Sequence, residues 1–295
     1  KNSSGETHCV QYFVPTTSPH CRVLRLVVML RRAFSACSSA TPRTATGTLP
    51  YLSLGTVPYG KALALQRHLV KRRHDLNHES HDPADPTIRD VLLLVQHPPT
   101  FTAGRRIKGK SELEQEVRLK GLGAEYFETL RGGQITFHGP GQLVGYPILD
   151  IRDYQLNVRC YVSYLEKAVI ETCRRYGVKA KTTENTGVWV DDNHKIAALG
   201  VQLQRYVSSH GLAINCDVDL SWFKEIVPCG LAEKETTSLS EQLTRKVTVE
   251  DVLPQFVDSF GLTFGRNMVD ARDSEEGQKL LQEVHQVISG EIIPP

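Results

Sequence analysis

The feature that most constrains the fold is an irregular alternation of short apolar runs with amphipathic segments of helical period. The run VLLLVQ at 91–96 is continuously apolar and stops at Pro98–Pro99, which is typical of a buried strand. Residues 157–177 carry apolar side chains at helical spacing and end at Gly177, which predicts a long helix. Because strand-type runs outnumber helices and are interleaved with them irregularly, we expect an α+β fold in one domain.

Similar patterns predict the remaining elements. Thr248 and Asp251 have the spacing of a helix capping box. We expect helices at 57–75, 111–123 and 248–261, strands at 142–151 and 209–218, and a hairpin at 186–204. The predicted organisation is an N-terminal extension (1–50), a catalytic domain (51–265) and a polar C-terminal tail (266–295) that contains one surface helix.

Charge is concentrated at the N-terminus. The first fifty residues hold six basic residues and one acidic residue, whereas the remainder holds 29 basic and 32 acidic ones. The body therefore has no overall charge suited to nucleic acid, and no apolar run approaches the ~20 residues of a membrane helix. From Met29 to about residue 47 the chain has arginines, serines and threonines but no acid, which favours a mitochondrial transit peptide. A disordered tail is the alternative.

The stretch RGGQITFHGPGQ at 131–142 concentrates glycine and polar residues. It lacks the GxxxxGK[ST] pattern of a P-loop and the GxGxxG spacing of a dinucleotide-binding turn. The interpretation that remains is a glycine loop that lines a pocket, with Arg131 available to an anion or a carbonyl group.

Two residues could form a thiol–amine pair. Cys229 lies between Pro228 and Gly230, a backbone that can hold a thiol at the rim of a pocket, although a buried cysteine is the alternative. Lys195 follows a polar turn and precedes the small apolar IAALG, but such a lysine can also project into water. His138 and His210 could be bases or structural histidines. The seven cysteines include no CxxC pair, so we expect no zinc site.

Four segments carry long and specific motifs: RGGQITFHGPGQLVGYPILD (131–150), TGVWVDDNHKIAALGVQ (186–202), SSHGLAINCDVDLSWFKEIVPCGL (208–231) and TSLSEQL (237–243). Together these segments resemble the octanoyltransferases of lipoate biosynthesis, especially their mitochondrial form. Their order and spacing match that family across roughly residues 51–262. The resemblance implies a mixed β-sheet flanked by helices, like that of biotin and lipoate protein ligases.

The same resemblance implies the reaction. An octanoyl group on acyl carrier protein passes to the thiol of Cys229 and then to a specific lysine of an apo lipoyl domain, with Lys195 as the second catalytic residue. Implied acceptors are lipoyl domains of 2-oxoacid dehydrogenase complexes and the glycine-cleavage H protein, in the mitochondrial matrix, and no cofactor or ATP is required. Substrate contacts are implied for Arg131, Gly132, Gly133, Gln134, Ile135, Thr136, Phe137, His138, Ala198, Leu199, Gly200, Gly211, Leu212 and Ala213.

Three alternatives stay open at this point. An ATP-dependent lipoate or biotin protein ligase would use the same fold with an adenylate in place of an acyl-enzyme. A lipoyl amidotransferase would move finished lipoyl groups between proteins. A non-catalytic acyl-protein binding module would leave the cysteine without a chemical role.

Overall fold

The computed structural model describes residues 47–78, 87–105, 111–226 and 234–293 of the 295-residue chain. Cys229 and the expected transit peptide lie outside these residues. In chain order the elements are β1 (Thr48–Thr56), α1 (Tyr59–His78), β2 (Val91–Gln96), β3 (Thr100–Ala103), α2 (Ser111–Gly121), β4 (Glu125–Glu128), β5 (Thr136–His138), β6 (Gln142–Ile148), α3 (Val158–Arg175), β7 (Val188–Trp189), β8 (His194–Gln204), β9 (Val207–Asn215), β10 (Glu235–Thr236), α4 (Leu239–Leu243), α5 (Val249–Phe264), β11 (Asn267–Asp270) and α6 (Glu275–Ser289).

A mixed sheet forms the centre of the described fold. Its strand order is β10-β8-β9-β6-β2-β1-β11, with β7 paired to β8. Strand β1 runs parallel to both β2 and β11, whereas β6, β8 and β9 are antiparallel neighbours. A smaller sheet has the order β4-β3-β5. The prediction of a mixed sheet flanked by helices is confirmed.

Each face of the central sheet buries its own apolar cluster. Helices α3 and α5 contribute to one cluster, and helices α1 and α6 contribute to the other. The predicted inner side of α3 is fully buried, which agrees with its helical spacing. The buried cysteines Cys173 and Cys216 fill space in the first cluster. The buried residues on the inner side of α3 include Tyr161, Leu165, Ala168, Val169 and Thr172.

Most predicted elements are present with small shifts of their ends. The capping box at Thr248 and Asp251 forms as expected, and α5 continues to Phe264 before Gly265 adopts a left-handed conformation. The parts that were not predicted include strand β1, the small sheet, and the pairing of β11 with β1. Strand β1 begins inside the expected N-terminal extension, and β11 and α6 lie inside the expected polar tail. None of the described helices is long and apolar enough to cross a membrane.

Candidate active site

A cavity of about 350 Å³ lies against one face of the central sheet, beside the glycine-rich segment. Its floor is made by small residues that face each other across neighbouring strands. Ala198 pairs with Ala213 and Gly200 pairs with Gly211. Because these positions have little or no side chain, the strand backbone itself forms part of the wall. The small side chains at these positions explain why a cavity opens here.

The cavity brings together almost all of the predicted site residues that the structure describes. The exception is Phe137. Its neighbours Thr136 and His138 line the cavity, and successive side chains of a strand point to opposite faces, so Phe137 points away. Its ring is fully buried and stacks on Trp222 at 5.1 Å. The lining includes Arg131, Gly132, Gly133, Gln134, Ile135, Thr136, His138, Lys195, Ala198, Leu199, Gly200, Gly211, Leu212 and Ala213.

Arg131 fixes the glycine loop to both sheets. Its guanidinium donates to the carbonyl oxygen of Thr102 at 2.6 Å and to the Thr102 hydroxyl at 2.8 Å. The next residue, Gly132, donates its N–H to the carbonyl oxygen of Val201 on β8 at 2.9 Å. Hydrogen bonds from a buried charged group are among the stronger ones in proteins. The loop is therefore held at a defined distance from the cavity floor.

A chain of buried hydrogen bonds runs from β3 to the segment after β10. Because the Gln142 side-chain oxygen can only accept, His138 donates to it from Nδ1 at 2.7 Å, and the other ring nitrogen lies 3.3 Å from the Thr102 hydroxyl. The Gln142 amide donates to the Asn215 side-chain oxygen, and the Asn215 amide donates to the carbonyl oxygen of Thr237, both at 2.9 Å. Burial lowers the pKa of His138 to about 3, so the ring is neutral.

His97, which the sequence did not single out, supports the same wall of the cavity. His97 donates from Nδ1 to the carbonyl oxygen of Val57 at 2.6 Å, which leaves Nε2 to accept from the Tyr146 hydroxyl at 2.7 Å. Burial lowers the pKa of His97 to about 4. Tyr146 and Tyr59 both line the cavity, and Tyr59 stacks on the His138 ring at 5.9 Å. These residues read as ordinary core positions, and no sequence signal marks them.

His210 lies toward the end of the cavity distant from Lys195. It adopts a left-handed backbone with φ of 55°, which is uncommon for a residue other than glycine. Its backbone N–H donates to the Gln66 side chain at 2.7 Å, and burial lowers the pKa of its ring to about 3. A neutral, buried ring of this kind is a poor general base at neutral pH.

Lys195 marks the opposite end of the cavity. Its side chain is buried, and the ammonium nitrogen lies 4.6 Å from the centre of the Trp189 ring. Lys195 pairs with Thr236 of β10, and the next residue, Thr237, donates its N–H to the Lys195 carbonyl oxygen at 2.9 Å. The segment that contains Cys229 connects Ile226 to this position and lies outside the described residues.

The comparisons with known proteins agree with this geometry. The family described as the lipoyl protein ligase A/B catalytic domain matches residues 58–261. The chain belongs to this family. A relative from Danio rerio, named octanoyl-[acyl-carrier-protein]:protein N-octanoyltransferase LIPT2, mitochondrial, is 45% identical over 70% of this chain and 88% of its own. Octanoyltransferase LIP2, mitochondrial, from Arabidopsis thaliana is 45% identical over 70% of this chain and 84% of its own.

Solved structures agree on the fold. A bi-partite lipoate protein ligase from Thermoplasma acidophilum superposes with a TM-score of 0.58 at 14% identity, covering 83% of this chain and 93% of that one. At this identity the likeness concerns the fold alone. The lipoyl protein ligase A/B fold and the octanoyltransferase resemblance are thus confirmed, and both of these relatives are named as mitochondrial proteins.

Proposed function

We propose that this protein transfers an octanoyl group from octanoyl-acyl carrier protein to a lysine of an apo lipoyl domain, as an octanoyltransferase of protein lipoylation. One observation carries the proposal. Lys195 lies buried at one end of a cavity whose walls are the other motif residues. The names of relatives at 45% identity support the same reaction.

The proposed chemistry has two steps. In the first, the Cys229 thiolate attacks the thioester carbonyl, the bond to the carrier sulfur breaks, and the carrier leaves as a thiol that has taken the proton of the Lys195 ammonium. In the second, the acceptor amine attacks the Cys229 thioester and gives up a proton to the now neutral Lys195, the bond to the Cys229 sulfur breaks, and an amide and the Cys229 thiolate are formed. Thioester exchange is nearly balanced and amide formation is downhill, so no ATP is consumed.

Lys195 has a part in both steps of this proposal. Its ammonium favours the thiolate form of Cys229 by charge in the first step. Its neutral amine accepts the proton of the incoming lysine in the second. The cavity that extends from Lys195 along β8 and β9 holds the acyl chain between backbone and small side chains.

Cys173 and Cys216 are poorer candidates for the nucleophile than Cys229. Cys173 and Cys216 are fully buried, and burial raises the pKa of both thiols well above its usual range. A thiol of this kind forms little thiolate at neutral pH and does not react readily. We propose the lipoyl domains of 2-oxoacid dehydrogenase complexes and the glycine-cleavage H protein as acceptors, in the mitochondrial matrix.

The test is transfer without ATP. Purified protein, octanoyl-acyl carrier protein and an apo lipoyl domain are mixed in the absence of ATP, and the mass of the lipoyl domain is followed. We expect octanoylation by the wild type, its loss in Lys195→Ala, and wild-type rates in Lys279→Ala, a matched change of an exposed lysine on α6. Transfer that occurs only with ATP and free octanoate would contradict the proposal and favour a ligase.

A further inference from the structure

We infer that Trp189 is a positioning residue for Lys195: its indole face holds the lysine ammonium at the end of the cavity. The inference rests on the proposed function, in which Lys195 is catalytic. It concerns a residue that lies across the hairpin from the lysine and makes no contact with the substrate in the proposed reaction.

The first observation is the contact itself. The Lys195 ammonium nitrogen lies 4.6 Å from the centre of the Trp189 ring, and only about 1% of Trp189 and 7% of Lys195 is exposed. Tryptophan has the strongest cation-binding face of the aromatic residues, and the attraction grows when water is excluded. A buried ammonium at this place is therefore stabilised by the ring beneath it.

The second observation is a β-bulge that creates this contact. Val188 pairs with Ala197, so a regular antiparallel register would place Trp189 opposite Ile196. The register shifts by one residue, and Trp189 instead pairs with Lys195. Ile196 and Ala197 are both fully buried in the apolar cluster to which α3 and α5 contribute. The bulge therefore directs the Lys195 side chain toward Trp189. Bulges near active sites are known to redirect side chains in this way.

The indole is itself fixed. Its ring N–H donates to the carbonyl oxygen of Asn185 at 3.1 Å, and the backbone of Trp189 exchanges two hydrogen bonds with Lys181, at 2.7 and 2.9 Å. A ring held from its edge and from its backbone has little freedom to follow the lysine. The position of the ammonium is therefore set by the ring.

A second wall confines the stem of the lysine. Gly187 has a φ of 134°, and a methyl group added there would lie 3.1 Å from Lys195 Cε. Its N–H donates to the Glu166 carboxylate of α3 at 3.1 Å. The absence of a side chain at Gly187 thus leaves room for the stem of Lys195, while the indole lies close to its ammonium group.

Several charged groups surround this position and must be held constant in a test. Glu166 faces it from α3, and Glu184 lines the same cavity. His194, next to Lys195, lies 2.8 Å from Asp191 of the hairpin turn and 3.4 Å from Glu235 of β10. A double-mutant cycle between Trp189 and Lys195 keeps all of them unchanged.

The experiment measures alkylation of Cys229 by iodoacetamide against pH, read by peptide mass spectrometry, in Trp189→Leu and Trp189→Phe. We expect alkylation near neutral pH to be about tenfold slower in Trp189→Leu, equivalent to about 1.4 kcal/mol, with Trp189→Phe intermediate because a benzene ring binds cations more weakly. We expect the midpoint of the Trp189→Leu profile to move to higher pH. In a Lys195→Ala background Trp189→Leu should have no further effect.

A slowing of the same size in the Lys195→Ala background would overturn the inference, because it would show that Trp189 acts through packing. Equal alkylation by Trp189→Leu and wild type would overturn it as well. Neither result bears on the proposed function, because formation of the acyl-enzyme by wild-type protein tests that function separately. If Trp189→Leu does not fold, a Trp189→Phe profile identical to wild type contradicts the inference, and an intermediate one supports it.

Discussion

A single methyl group at Gly200 tests whether close approach of the glycine loop shapes the cavity. Built on Gly200, a Cβ atom would lie 2.8 Å from the carbonyl oxygen of Gly132 and 3.2 Å from Arg131 Cδ. The first contact is with backbone, which cannot rotate away as a side chain can. We expect Gly200→Ala to push the loop outwards and weaken the bond from the Gly132 N–H to Val201.

The size of the effect follows from overpacking. Extra methylene groups in a packed site cost about 1–3 kcal/mol, and for a domain of this size each kcal/mol lowers Tm by about 2–4 °C. We therefore expect a fall in Tm of about 2–12 °C. Because small displacements of a binding wall can cost large factors in rate, we also expect at least about a tenfold loss in kcat/KM for octanoyl transfer.

Gly121→Ala is the matched control. Gly121 ends α2, and a Cβ atom there would meet nothing within 4 Å. Since alanine favours helix over glycine by about 0.5–1 kcal/mol, its Tm should stay constant or rise slightly, and its transfer rate should equal wild type. Thermal unfolding and steady-state transfer are measured on all three proteins. A Gly200→Ala protein with wild-type Tm and kcat/KM would refute the close-packed wall.

Three further predictions use different parts of the chain. Burial lowers the pKa of His97, His138 and His210 to about 3–4, so below pH 6.5 the unfolded chain binds more protons than the folded one. Urea unfolding should then show a loss of about 1–2 kcal/mol per histidine from pH 7 to pH 5, and unchanged stability would contradict this. Thr248→Ala should remove the capping box and cost about 1 kcal/mol without a change in transfer; equal urea midpoints would contradict it. Residues 29–47 fused to a reporter should direct it to the mitochondrial matrix, and a cytosolic reporter would contradict that.

The sequence predicted those parts of the molecule where local pattern and long-range packing agree. VLLLVQ is a strand because it is apolar on both faces, and β2 is buried on both faces between two clusters. Asn157 begins α3, and Thr248 begins α5, because their side chains accept the first free backbone N–H groups. The glycine loop was predicted because its glycines lack the spacing of nucleotide-binding loops. Lining a pocket was the interpretation that remained.

Other parts depend on contacts that no local pattern carries. Strand β11 has only four residues, and its place beside β1 comes from the turn after α5. His97 directly follows β2 and Tyr146 lies on β6, and only the pairing of β2 with β6 brings them together. The bulge opposite Trp189 shifts the strand register by one residue, and residue composition does not reveal such a shift. For Phe137, the family resemblance implied contact with substrate. The alternation of side chains along the strand instead turns its ring away from the cavity and onto Trp222.

The acyl-enzyme is the most direct test of the whole account. Wild-type protein is mixed with octanoyl-acyl carrier protein without acceptor, and its intact mass and peptide masses are recorded before and after an apo lipoyl domain is added. Cys229→Ser is compared with Cys216→Ser, a matched change at a fully buried cysteine. We predict one octanoyl group on Cys229 that disappears when the lipoyl domain is added, its presence in Cys216→Ser, and its absence as a thioester in Cys229→Ser. Continued transfer by Cys229→Ser at the wild-type rate, or octanoylation at another residue, would contradict the account.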